Sequence, residues 1–236
     1  MQIPAISGAF RGARRVIGAL LLALPLAMPA GAQESDGIAA DRLLPDGEFF
    51  RLATCGAPPG GDCAGPVLRW PKRLVTLALL PGDMPLPEGF AENLDAAVDA
   101  AIAQINRTGA GIRLRRIEGR KADIRIIPTT AIDGDLLEDV PGISAKGIMG
   151  VGYMTYWWNS RRQITEATIL ISTAIIPSDM RSVVLEETFQ TLGPRFDIEG
   201  PAYEGVSILS QTSNETTVIR GQDARLLRWL YPPERQ

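Results

Sequence analysis

Glu186, Glu187 and Gln190 are the residues of this chain whose types and spacing best suit chemistry. They lie in Val183-Val184-Leu185-Glu186-Glu187-Thr188-Phe189-Gln190-Thr191-Leu192-Gly193, a stretch that reads as a helix. Residues four apart share a helix face, so Glu186 and Gln190 point the same way and Gly193 continues that face. One turn apart, the Gln190 amide can hold the Glu186 carboxylate. The chain has no histidine among its 236 residues. Glu186, the Gln190 amide oxygen and nearby Asp197 are therefore a hard oxygen set, suited to calcium, magnesium or manganese rather than zinc. No zinc is expected, and a hard divalent ion is the metal such a set would take. Glu187 is the candidate catalytic residue, as the base beside such an ion or in a metal-free pair with Gln190. The second role needs a pKa raised by burial.

The two cysteines, Cys55 and Cys63, enclose a loop rich in Gly and Pro, CGAPPGGDC. An even count at short spacing reads as a disulfide in an exported chain. A loop this small contributes about 2–3 kcal/mol. The N-terminus supports export. Arg11, Arg14 and Arg15 precede an apolar run at 16–28 and the small-residue triplet Ala30-Gly31-Ala32, the pattern of a cleavable signal peptide spanning 1–32. The expected location is periplasmic or secreted, with no membrane span after cleavage. Loss of those three arginines leaves 21 basic against 27 acidic residues, net −6. A nucleic-acid partner would need a basic face, so none is expected.

The elements that must position these residues follow from periodicity. Segment 33–69 carries the cysteine loop, and its first part, 33–50, reads as polar and loosely ordered. LVTLALL at 74–80 reads as a buried strand ended by Pro81-Gly82. Residues 88–108 read as a long helix with Phe90, Leu94, Val98, Ile102 and Ile105 on one stripe. Strands follow at 112–117 and 122–127. The acidic stretch 129–145, with Asp133, Asp135, Glu138 and Asp139, lacks the glycine and terminal glutamate of an EF-hand and reads as a solvated loop. Segments 147–155 and 167–173 form a hairpin turning at Asn159-Ser160-Arg161, its glycines fitting an edge strand. Ser178 is the expected N-cap of the Glu-bearing helix, which Gly193-Pro194 ends. A loop of about 25 residues precedes a last helix at 223–231. This order predicts one α/β (α+β) domain over 70–236, with a mixed, twisted sheet, a long backing helix, the Glu-bearing helix and a C-terminal helix.

This order resembles that of the zincin peptidases, and the helix resembles the metzincin pattern H-E-x-x-H-x-x-G-x-x-H/D. The resemblance places Glu186 and Gln190 at the first two metal ligands, Glu187 at the general base, Gly193 at the helix-ending glycine and Phe196 at the third ligand, with Asp197 beside it. Ser207-Ile208-Leu209-Ser210 is similar to the turn beneath the metal, with Leu209 in place of methionine. The closing DARLLRWLY is similar to the metzincin C-terminal helix. The chain also resembles a proteobacterial family of secreted proteins of unknown function with an E-E-x-x-Q-x-L-G helix.

Without the histidines, the resemblance implies a scaffold that has lost its zinc site. The leading expectation is a catalytically inactive, zincin-like binding module (a pseudoenzyme) for a peptide or envelope protein. Its cleft would hold an extended chain along the edge strand, with Glu186, Gln190, Asp197, Trp157 and Trp158 as candidate contacts. Adjacent strand residues face opposite sides, so one of the two tryptophans can line a groove. The alternative is a peptidase-like hydrolase using an oxygen-ligated metal or the Glu187/Gln190 pair.

Overall fold

The segment expected to be loose is ordered over its described residues, 37–50. Ile38–Ala39 forms strand β1 and Asp46–Cys55 forms helix α1. The polar residues of this segment mask a short amphipathic pattern: Phe49, Leu52 and Ala53, at spacings of three and four, are buried in the core. Asp46 and Glu48 stand in the first turn, where the helix dipole favours them, and Gly56 closes the helix at φ 72°. The structure is a computed structural model describing residues 37–81, 84–138, 140, 143 and 146–234. The signal segment and Asp139 lie outside the described residues.

The remaining elements are β2 (Leu74–Leu79), α2 (Phe90–Arg107), β3 (Arg113–Arg116), β4 (Ile124–Thr129), β5 (Leu136–Leu137), β6 (Gly147–Ile148), β7 (Gly152–Trp158), β8 (Ile164–Ser172), α3 (Met180–Gln190), β9 (Ile198–Glu199) and α4 (Gly221–Leu230). Five strands make one mixed sheet in the order β3-β2-β4-β8-β7. The first four run parallel, and β7 is antiparallel to β8 at the sheet edge. Parallel neighbours need a long crossover, which α2 supplies between β2 and β3.

The hairpin strand β7 begins five residues later than expected. Gly147–Ile148 pairs instead with Leu136–Leu137, so the acidic stretch contains a small β-ladder rather than being loop throughout. Asn159 makes the hairpin turn, its Oδ1 accepting the Arg161 and Gln163 amides. The Glu-bearing helix α3 starts one residue later than expected: Asp179 is its N-cap residue, and Ser178 bonds the Asp179 side chain instead of capping.

Leu77, Ile124, Ile126, Ile169 and Ile171 share one core with Leu94, Val98 and Ile105 of α2 and Val184, Leu185 and Phe189 of α3. Each such fully buried side chain contributes about 1.5–3 kcal/mol. The same core includes Leu44, Phe49, Leu52 and Leu68, so residues 40–68 pack with the elements that follow them. Cys55 and Cys63 are disulfide-bonded with Cα atoms 5.1 Å apart, which fits an oxidising compartment. No described helix is long and apolar enough to cross a membrane.

Candidate functional site

Helix α3 is buried on nearly every side, and its C-terminal end is anchored by side chains. The Trp70 indole N–H donates to the Thr191 carbonyl at 2.9 Å and the Tyr231 hydroxyl to the Leu192 carbonyl at 2.6 Å. Helix ends leave carbonyls without intrahelical partners, and these two bonds satisfy them. Gly193 then turns the chain at φ 122°, where a Cβ would lie 2.4 Å from the Leu68 carbonyl oxygen. Only glycine fits both the angle and the space.

After this turn the chain comes back past α3. Ile198 of β9 donates to the Leu209 carbonyl at 2.7 Å, and the Gln211 amide donates to the Ile198 carbonyl at 3.0 Å. These bonds place Asp197 beside Ser210 and Gln211. Segment 207–209 is fixed in turn by Asp223 of α4, which accepts the Ser207 hydroxyl at 2.7 Å and the Ile208 amide at 3.0 Å. Leu209 is fully buried within this turn.

The opposite wall is the start of β7. A Cβ on Gly152 would lie 2.5 Å from Glu187 Oε1 and 2.7 Å from Val183 Cγ1. This glycine is what lets α3 approach the edge strand so closely. Between the walls lies a cavity of about 430 Å³. Glu186, Glu187 and Gln190 line it from α3, Gly150 to Met154 from the edge, and Asp197, Ser210, Gln211 and Asn214 from the long loop. Ile148 contributes from β6, and Asp133 from the turn ahead of β5.

The candidate residues therefore divide. Glu186, Glu187, Gln190 and Asp197 meet at one cavity. Gln190 does not hold Glu186: its Nε2 donates to Asp197 Oδ1 at 2.5 Å, because the returning loop puts a second carboxylate within reach. Phe196 is not on the cavity wall; its ring sits against Gly56, 2.6 Å from where a Cβ there would stand. Trp157 and Trp158 lie at the other end of β7, roughly 17–20 Å along the strand from Gly152 at about 3.3 Å per residue, and are outside the cavity lining. Sequence reading missed Gly152, Tyr153 and Asn214, and took Ser210 only as the last residue of the turn similar to the one beneath the metal. The glycines around 150 hinted at the first, and nothing in the sequence paired Tyr153 or Asn214 with α3.

Electrostatics mark the cavity strongly. Glu186 and Glu187 are half-buried, each with one face open to the cavity and protein on the others. Burial, then the Asp197 charge, pushes Glu187 up to about 8. Burial raises Glu186 well above the carboxylate range, with Asp197, Glu187 and Asp223 adding repulsion. Tyr153 is raised by burial and by Glu187. Asp223 is pushed up to about 6 by burial, against the hydrogen bonds from Ser207 and Ile208.

No protein-family model matches this chain, and no curated protein does. Its donor set does not fit zinc: the i and i+4 positions are a carboxylate and an amide whose nitrogen is engaged by Asp197. Among the described residues, no three carboxylates, thiols or imidazoles come together as ligands of one ion. The arrangement offers instead a concave acidic wall facing a sheet edge, with carboxyls poised between protonated and charged forms near neutral pH.

Proposed function

We propose that this protein is an exported, zincin-like binding module that captures an extended peptide in the cleft between β7 and α3. The observation that carries the reading is that β7, the outermost strand of the sheet, forms one wall of the cavity through Gly152, Tyr153 and Met154, with Gly150 and Val151 just ahead of it. An edge strand presents backbone N–H and C=O groups that an added strand can pair, while side-chain pockets supply selectivity. The disulfide and the signal-like N-terminus support a periplasmic or secreted location.

Selection from a random-peptide display library, followed by amide hydrogen exchange on the selected complex, tests this. Enrichment with slowed exchange at residues 151–155 is the expected result. No enrichment, or protection confined to other elements, would overturn it.

A second reading has a specific observation in its favour. Glu187, held at about 8 in a cleft beside Glu186, has the protonation behaviour of a general acid–base group. Peptide cleavage by the wild type that disappears in Glu187→Gln, with the fold retained, would favour hydrolysis over binding alone.

A further inference from the structure

The charge of the cavity wall points to the ligand. Four carboxylates line it, Asp133, Glu186, Glu187 and Asp197, and no lysine or arginine does among the described residues. Behind it stands a fifth acid, Asp223, which also raises Glu186. Acidic clusters are common on surfaces, but this wall carries a second feature. Ser210 is 2 % exposed and is a wall residue, and its Oγ has no hydrogen-bond partner. A buried hydroxyl left unpaired is destabilising, and a ligand donor would relieve that cost. The carboxylates are not gathered as ligands of one metal ion. A primary ammonium has no such requirement, since its three N–H donors need only separate acceptors.

We infer that this cavity is a subsite for a primary ammonium group, a lysine side chain or free N-terminus, on the peptide bound along β7. The inference rests on the peptide-binding reading and deepens it. The ammonium would lie against Glu186 and Glu187 and donate to Ser210 Oγ. Its entry favours the charged carboxylates, so binding displaces protons from the wall and strengthens as pH rises from 6 towards 8. The titratable groups facing the site are Glu186 and Glu187 from α3, Tyr153 from β7, Asp133 ahead of β5 and Asp197 ahead of β9, with Asp223 of α4 behind.

Calorimetry on the full mature chain tests this with three probes: a blocked pentapeptide Ala-Ala-Lys-Ala-Ala, the same peptide with its lysine Nε-acetylated, and n-butylammonium. The lysine peptide should bind about tenfold more tightly than the acetylated one at pH 8. It should release protons to buffer at pH 7. Ser210→Ala and Glu186→Gln should each weaken the lysine peptide several-fold more than the acetylated one, with thermal unfolding checking that both variants fold. Equal affinity for the two peptides overturns the ammonium subsite and leaves peptide binding standing. Butylammonium binding that Glu186→Gln abolishes, with neither peptide bound, supports the ammonium subsite and overturns the peptide. No binding of any probe overturns both. Displacement of the bound lysine peptide by millimolar calcium, with the acetylated peptide left in place, overturns the ammonium subsite in favour of a cation site.

Discussion

Gln190 donates through Nε2 to Asp197 Oδ1 at 2.5 Å, joining the last turn of α3 to the loop that returns over it. Gln190 is 4 % exposed. Gln190→Glu would replace this bond with two opposed carboxylates beside Glu186. The expected loss is about 2–4 kcal/mol of stability at pH 7.5, partly recovered at pH 5 as one carboxyl takes a proton. Urea unfolding at the two pH values measures it, and equal losses at both would show that charge is not the cause.

Glu187 gives a pH dependence with a defined sign. It is held at about 8 in the fold against 4.5 for an ordinary glutamate. The unfolded chain therefore binds fewer protons than the native one between these values. The stability from the neutral buried carboxyl is complete below 4.5 and is lost as pH rises towards 8. Glu186, also raised, and Asp223, raised from 3.8 to about 6, act in the same direction. Glu187→Gln should flatten the decline and add roughly 1–3 kcal/mol at pH 8.5. Thermal melts of both proteins from pH 5 to 8.5 supply the comparison.

Asp223 holds the floor of the site. Asp223→Ala leaves the Ile208 amide and the Ser207 hydroxyl without their acceptor in a buried turn. A loss of about 3–5 kcal/mol is expected for two unsatisfied groups. Asp223→Asn keeps one acceptor and should lose less. A reversed order of the two variants in chemical denaturation would contradict this role.

Gly152→Ala would press a methyl group on Glu187 and Val183 where α3 lies against the start of β7. The expected cost is about 1–3 kcal/mol, with a displaced Glu187 titration by carboxyl NMR. Gly193→Ala meets the Leu68 backbone at 2.4 Å and an unfavourable φ, and should be the more damaging of the two.

The zincin reading of the scaffold has its own test. Glu186→His together with Gln190→His places two imidazoles four residues apart, facing Asp197. If α3 is a zincin helix, the double variant should bind about one zinc per chain, and the parent none. Elemental analysis after dialysis decides it; a metal-free double variant would remove that reading.

Much of the fold was legible in the sequence because local periodicity and burial agreed there. LVTLALL, the stripe from Phe90 to Ile105 and the 159–161 turn became β2, α2 and the β7–β8 hairpin. The misses were local signals too weak to compete. Helix α1 spans ten residues with acidic and basic side chains outward, and the two-residue ladder of β5 and β6 has no periodicity to read. The start of β7 was displaced because Gly147 found a different partner, which alternation along one strand cannot reveal.

For the site, the sequence by itself determined that Glu186 and Gln190 share a helix face and that no imidazole could join them. Helix geometry fixes the first and composition the second. Tertiary structure decided what that face meets. Asp197 captured Gln190 because Gly193 reverses the chain and the Ile198 bonds hold it to Leu209 and Gln211. It also decided the ionisation of Glu187, since a pKa depends on the surrounding solvent and charge rather than on neighbours along the chain. Hydrogen bonds and burial between residues far apart in sequence carry no local pattern, so the acidic wall and its unpaired Ser210 became visible only when the loop closed over the helix.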